Sequence, residues 1–478
     1  MKLFLFISLL VSLNSFSQSA KFHEPVPTKQ QMAWQGMEFY LFAHFGPNTF
    51  TDKEWGEGTE PEDIFNPTNL DCRQWCRIAK AAGAKGIIIT AKHHDGFCLW
   101  PSKYSTHTVR ESKWRNGKGD VLKELSQACK EYGLKFGVYI SPWDRNHPKY
   151  GTPEYNDVFV NMMKEIFTNY GPIWELWWDG ANGEGPNGKK QIYDWDRFKK
   201  TVKAISPNTV VFSDVGPDIR WCGNENGIAG ETNWNLLDTV GFTPGVGAPP
   251  VDTLNRGNVN GKNWIPAECD VSIRPGWFYH KEEDEKVKTP EDLFQLYLKS
   301  IGRGANLLLN VPPDRRGLIN EKDSVALIGF KKLRDETFKN NLLEGKIVTM
   351  YTGDDFKKRF TKLLTDENVK TFIGTEIPKY GDSPPNFEVR FNETTKINCI
   401  ILREAIEKGQ QIKKLQIYLI HGDTGIKDIY VTTIGRKRII LFPTVDVDTI
   451  SLYVKESKTH PILNEISAYL IPENLIEK

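Results

Sequence analysis

Between residues 38 and 341, short, mostly apolar runs alternate with stretches of helical periodicity. No other feature of the chain narrows its possible folds as much. Residues 86–90 read GIIIT, 173–178 read IWELWW and 306–311 read NLLLNV. Runs of this kind, bounded by Gly and Pro, are strands buried on both faces. Further strands are predicted at 38–45, 134–140, 209–213 and 264–270, with the IWELWW strand taken as 172–178. Helices are predicted between and after them. Over 71–82, Cys72, Trp75, Cys76, Ile78 and Ala79 share one face. The segment 120–132 opens on the capping residue Asp120 and stops before Gly133. Helices over 153–170, 194–205, 290–301 and 321–340 complete the pattern. Strand then helix, repeated roughly eight times, predicts an α/β fold with a parallel sheet closed into a (β/α)8-like barrel. An open doubly wound sheet is the alternative. It lacks support because no Gly-rich phosphate loop follows the first strand.

After about residue 341 the texture changes. Alternating or β-branched stretches at 386–404, 413–421, 428–433, 437–441, 449–454 and 464–470 are separated by turn residues. They predict an antiparallel β-sandwich over 342–478. The first stretch is long enough for two strands with a turn near Asn392. Before the barrel, 21–34 is polar, carries Pro25 and Pro27, and reads as a lead-in loop. Residues 1–17, MKLFLFISLLVSLNSFS, have a charged start, a short apolar centre and small residues before Gln18. This is the pattern of a secretory signal peptide, too short to be a membrane span. The expected parts are therefore a signal peptide at 1–17, a barrel at 18–341 and a sandwich at 342–478. The mature protein is expected to be exported, periplasmic or extracellular, with no membrane anchor.

A net charge of +1 provides no field for nucleic acid or an anionic surface. The seven cysteines are an odd number in apolar contexts and read as small buried hydrophobes, with no disulfide implied. The 14 tryptophans suit either a large aromatic core or flat faces for sugar rings.

Polar residues gather where the predicted strands end. His44 closes the first strand. His93, His94 and Asp95 follow the second. Tyr139, Trp143 and Asp144 end the third, and Asp179 ends IWELWW. A barrel builds its active site from side chains at these ends. For Asp179 the alternative is a turn cap before Gly180. The adjacent histidines alternate faces on an extended chain, and no HExxH helix or Cys/His knuckle accompanies them, so no metal site is predicted. Hydrogen bonding to a polar substrate such as a sugar fits them better. Glu225 lies in a Gly- and Asn-rich stretch, 218–227, read as a loop beyond the fifth strand. Two carboxylates on separate barrel loops are what glycoside hydrolysis needs. A solvated loop acid is the plainer alternative for Glu225, and Glu231 and Glu268 compete for the same role.

The series HFGPNTF (44–50), EWG (54–56), KHHDGF (92–97), YISPWD (139–144) and WWDG (177–180) resembles, in order, the motifs of the glycoside hydrolase family 29 α-L-fucosidases. NLLLNVPPDRRG (306–317) is similar to a further family segment. The resemblance covers roughly 25–341 and implies a retaining enzyme with Asp179 as nucleophile. IRWCGNENG (219–227) is similar to the subgroup acting on α-1,3- and α-1,4-linked fucose, which implies Glu225 as acid/base. His44, Glu54, Trp55, His93, His94 and Tyr139 would hold fucose. Trp277, in RPGWFYH where many relatives have WGY, would lie near its methyl group, and Arg220 near the nucleophile or the leaving group. The implied partner is a fucosylated oligosaccharide or glycoconjugate, and no organic cofactor is implied. Linked fucose offers three hydroxyls and one methyl, so its pocket needs donors and acceptors beside an apolar patch. Glu225 must start protonated and Asp179 ionised. Competing readings are a broader fucosidase acting on aryl fucosides and α-1,2 linkages, a different retaining glycosidase, and a secreted glycan-binding protein.

Overall fold

A computed structural model describes residues 24–352, 357–374 and 386–476. The proposed signal peptide lies outside them. Eight parallel strands close into a barrel: β1 Phe39–Ala43, β2 Gly86–Lys92, β3 Lys135–Ile140, β4 Glu175–Trp177, β5 Val210–Ser213, β6 Ile219–Trp221, β7 Ala267–Ser272 and β8 Asn306–Asn310. Pairing of β1 with β8, Phe39 against Leu307, closes the ring. Every residue of β1, β2, β4, β5, β7 and β8 is buried, as expected for strands covered on both faces.

Helices wrap the barrel: α1 Lys29–Gln35, α2 Cys72–Ala81, α3 Val121–Tyr132, α4 Tyr155–Asn169, α5 Trp195–Ile205, α6 Val251–Arg256, α7 Pro290–Lys299 and α8 Glu321–Thr337. Asp120 caps α3 by accepting from Lys123 N–H at 2.9 Å, and Gly133 ends it at φ 71°.

Two local expectations in and before the barrel are corrected. The lead-in is not all loop: Thr28 caps α1 in a reciprocal box with Gln31. Gln31 then donates from Nε2 to Asp218 O at 2.7 Å and Trp264 O at 2.6 Å, fastening the helix to the barrel. The stretch 218–227 is not all loop either, because Ile219–Trp221 is barrel strand β6. It follows β5 through a tight turn at Gly216-Pro217 with no crossover helix between.

The second unit is antiparallel: β9 Val348–Thr352, β10 Lys357–Thr361, β11 Ile373–Gly374, β12 Asn386–Glu404, β13 Ile412–His421, β14 Thr424–Val431, β15 Arg438–Ser457 and β16 Ile462–Tyr469. It forms a β-sandwich around one apolar core that includes Phe387, Ile400, Leu415, Leu452 and Ile466. No turn divides β12 at Asn392. The strand runs on, with a shift in register between Arg390 and Thr395. The separate strands expected at 437–441 and 449–454 are likewise one strand, β15.

The sandwich docks beside the base of β1. Lys437 donates from Nζ to Glu38 Oε2 at 2.6 Å, with Arg403 and Arg436 3.6 and 3.8 Å from Oε1. Burial opposes ionisation of Glu38, but these three cations overcome it and hold the carboxyl far below its usual range. All seven cysteines are buried thiols, and Cys76 and Cys129 touch at 3.8 Å between sulfurs.

Candidate active site

The carboxyl ends of β1 to β4 and β8 converge on one pocket. Asp179 stands two residues beyond β4. Its Oδ2 accepts from the Tyr139 hydroxyl at 2.9 Å, and its Oδ1 accepts from Ala181 N–H at 2.7 Å. The second bond is the local Asp-Gly turn expected as the plainer reading, so Asp179 caps that turn and faces the pocket together. About a quarter of its side chain is open to solvent, 24%.

The histidines are fixed by residues the motif series did not single out. Asn310, at the end of β8, donates from Nδ2 to Ser272 Oγ and Trp277 O. Its Oδ1 is thereby turned toward His44 Nδ1, 2.9 Å away. His44 carries its proton on Nδ1 and presents Nε2 as an acceptor. The Ser141 hydroxyl donates to Trp143 O at 3.0 Å and so accepts from His94 Nδ1 at 2.8 Å. His94 Nε2 is then a bare lone pair, 3.8 Å from Asp179 Oδ2. A hydroxyl seated between these two acceptors must donate.

Burial drives the His44 ring down to about 3 and the His94 ring down to about 4, the latter against the pull of Asp179. Burial also holds His93 well below its usual range. All three are neutral at neutral pH. His93 Nδ1 is buried with no hydrogen-bond partner among the described residues, a polar atom available to a ligand.

An aromatic wall surrounds these groups. His93 stacks on Tyr139 at 5.8 Å, and Tyr139 stacks on Trp177 at 5.4 Å. Trp277 lies 5.0 Å from His44, centroid to centroid. Trp55 meets His94 and Trp143 edge-on and keeps 57% of its surface exposed. An exposed indole beside buried polar groups is suited to the C–H face of a sugar.

Glu54, expected to hold fucose, makes contacts within the protein that its motif does not announce. Its carboxylate accepts from Trp277 N–H at 2.8 Å and Phe278 N–H at 3.2 Å, and it meets His280 Nε2 at 2.6 Å. In this structure it clamps the loop that presents Trp277. Gly276 makes the approach possible, since a Cβ there would lie 2.6 Å from Glu54 Oε1.

Glu225 lies on the loop after β6, solvent-exposed, with Oε2 accepting from Trp277 Nε1 at 3.2 Å. That bond joins the second carboxylate to the aromatic wall. Its rivals sit elsewhere. Glu231 is 77% exposed and faces Arg303 at 3.5 Å. Glu268 is sealed inside the barrel, where Tyr40 and Trp177 donate to it. Burial pushes the Glu268 carboxyl up to about 6 and its neighbour Glu175 well above the usual range.

Arg220 is corrected outright. Its side chain is fully buried and turned away from the pocket. It donates to Leu254 O at 2.8 Å, Trp234 O at 3.0 Å, Asn233 Oδ1 at 3.2 Å and Ile265 O.

Three further groups were missed by sequence reasoning. Asn310 ends NLLLN and obeys the same strand-end rule that found Asp179. So does Asp214, just after β5. Asp270, near the end of β7, accepts from Trp221 Nε1 at 2.9 Å, and burial holds its carboxyl well above the usual range. Among the described residues no group of three or more His, Cys, Asp or Glu is placed to hold a metal ion.

The sequence profile of the alpha-L-fucosidase family matches residues 18–330. Alpha-L-fucosidase 1 of Arabidopsis thaliana is 39% identical over 98% of this chain and 93% of its own length. A glycoside hydrolase 29 family member from a rumen bacterium is 40% identical, superposes with a TM-score of 0.82, and is covered over 78% of its length by 94% of this chain. A Ruminococcus gnavus GH29 fucosidase solved in complex with fucose is 29% identical, with a TM-score of 0.83 over 96% of this chain and 98% of that one.

Proposed function

The chain belongs to glycoside hydrolase family 29, the α-L-fucosidases, and from that premise we propose a retaining exo-enzyme that removes terminal α-1,3- or α-1,4-linked fucose from branched glycans. The observation that carries this reading is the setting of Asp179. One oxygen takes the Tyr139 hydroxyl, the other a backbone N–H, and the remaining face opens among neutral histidine acceptors. A carboxylate held in this way is oriented for attack.

In the proposed cycle Asp179 attacks the anomeric carbon. The bond to the leaving oxygen breaks, and Glu225 gives that oxygen its proton. Glu225 then takes a proton from water, which attacks the fucosyl ester and frees Asp179. Net retention follows from two displacements. Closure must bring the two carboxyls to about 5–5.5 Å, the separation retaining enzymes use. His44 Nε2, His94 Nε2 and His93 Nδ1 accept or share the fucose hydroxyls. Trp55 and Trp277 cover its apolar surfaces. The linkage preference rests on the IRWCGNENG segment and on the tie between Glu225 and Trp277.

The test is kinetics on α-1,3/1,4-fucosylated trisaccharides for the wild type, Asp179→Ala and Glu225→Ala. Release of β-L-fucose at early times by NMR, in place of α-L-fucose, sinks the retaining mechanism. Loss of at least a thousandfold in the Asp179 variant, with azide rescue of one variant, is expected. A Glu225→Ala enzyme of near-full activity removes the acid/base role and the linkage reading with it. A wild type inert on these sugars but active on an aryl fucoside leaves the family and overturns the linkage.

We also propose export. The support is the MKLFLFISLLVSLNSFS leader. Intact mass of protein secreted by a host with a signal peptidase should begin at Gln18, and a retained Met1 would count against it.

A further inference from the structure

Asp214 is the first residue after β5, on the strand beside the one that leads to Asp179. The two strands pair in register, Trp177 against Phe212, and Trp178 N–H donates to Phe212 O at 3.1 Å. Two residues beyond, the aspartates leave neighbouring strand ends together. Gly180 permits it: a Cβ there would lie 3.0 Å from Asp214 Oδ2 and 3.3 Å from Cγ. On its other side the carboxyl faces the backbone of Gly245, in the turn 243–247 that Thr243 and Gly247 close at 3.0 Å. A Cβ on Gly245 would meet Gly180 O at 3.3 Å, so carboxyl, strand end and turn are in close contact. Asp214 Oδ1 is buried and has no hydrogen-bond partner among the described residues.

Among the described residues no cation is found among the groups that shift Asp214. From β4 comes Asp179. From the turn comes the Gly245 backbone, with Tyr193 and Trp195 behind it. Two carboxyls side by side without a cation cannot both ionise cheaply. Asp179 has the Tyr139 hydroxyl and the Ala181 N–H to stabilise its charge. Asp214 has burial and Asp179 against it, which outweigh Gly245 and push its carboxyl up to about 6.

We propose that Asp214 is a positioning residue for Asp179: as the neutral acid it braces the Asp179–Gly180–Ala181 corner against the 243–247 turn and leaves Asp179 the one negative charge there. This rests on Asp179 being the nucleophile. Deprotonation of Asp214 sets a second charge beside the first, drives Asp179 off the Tyr139 hydroxyl and slows its attack. The acid is neutral below its raised pKa and ionised above it, so the loss comes as pH rises.

The experiment measures fluoride release from α-L-fucosyl fluoride, a leaving group that needs no proton, from about pH 5 to about pH 8. The proteins are full-length wild type, Asp214→Asn, Asp214→Ala and Asp179→Ala. The wild type is expected to lose kcat as pH rises through Asp214's ionisation. Asp214→Asn, a neutral isostere, should match the wild type within about threefold at the acid end and lack that fall. Asp214→Ala should lose kcat by about tenfold or more at all pH, with KM within about threefold. An Asn variant that keeps the wild-type inflection, or an Ala variant with wild-type kcat and profile, overturns the proposal. An active Asp179→Ala overturns it together with the nucleophile reading. An inactive Asp179→Ala beside unaffected Asp214 variants overturns it alone.

Discussion

Tyr139 serves the pocket twice. Its ring lies between His93 and Trp177, and its hydroxyl donates to Asp179. Tyr139→Phe separates the two, because it keeps the ring and removes the donor. A hydrogen bond to a charged group is worth about 1.5–3 kcal/mol, so kcat/KM on an aryl fucoside should fall by about 10- to 150-fold. The melting temperature should change little. An unchanged kcat/KM would mean that Asp179 is oriented by its turn alone. At this scale the sequence is legible through one rule, that a polar residue closing a buried barrel strand faces the pocket. His44, Tyr139 and Asp179 follow it, and Asn310 and Asp214 follow it unnoticed. Glu54 escapes the rule because its partners, Trp277 and His280, lie 223 and 226 residues away. Nothing local in EWG reveals them.

Strand β6 shows why Arg220 was misplaced. It is three residues long, with no apolar run to announce it, and a turn takes the place of the helix before it. Side chains on a strand alternate. Ile219 packs inside the barrel and Trp221 reaches Asp270, so Arg220 between them points outward. Read as a loop, IRW allowed Arg220 to face anything. Its guanidinium instead gathers the backbone of the 233–265 excursion. Arg220→Met leaves several buried carbonyls without a donor, at about 1–3 kcal/mol each. A loss of about 3 kcal/mol or more is expected in urea unfolding, with KM of the folded fraction unchanged. A raised KM at unaltered stability would return Arg220 to the pocket. Elements with full hydrophobic runs or clear caps, such as β2 and α3, were legible to within one or two residues. β12 was harder, because Asn392-Glu393-Thr394-Thr395 has the composition of a turn, while its partner β15 continues alongside and keeps it extended.

Across the whole molecule, among the described residues, the barrel and the sandwich meet along a seam of several parts. One is the ion cluster at Glu38. A second is apolar, where Tyr469 packs edge-on against Phe338 at 5.3 Å, and beside it Gln295 donates from Nε2 to Leu475 O at 2.8 Å. A third is the excursion between β6 and β7: Thr433 Oγ1 accepts from Asn233 N–H at 2.8 Å, Gln410 Oε1 from Asn235 N–H at 2.8 Å, and Arg438 donates to Glu231 O at 2.5 Å. Glu225 lies six residues before Glu231 on that same excursion. The groups proposed to hold fucose stand mostly on strand ends, which the closed barrel makes rigid. The proposed acid/base stands on a segment tethered to the other domain. The pocket for the sugar and the segment that would meet its leaving group therefore have different supports. Exchange of the sandwich between relatives is expected to change kcat/KM on fucosylated trisaccharides more than on an aryl fucoside, a difference that parallel kinetics of the exchanged proteins would read.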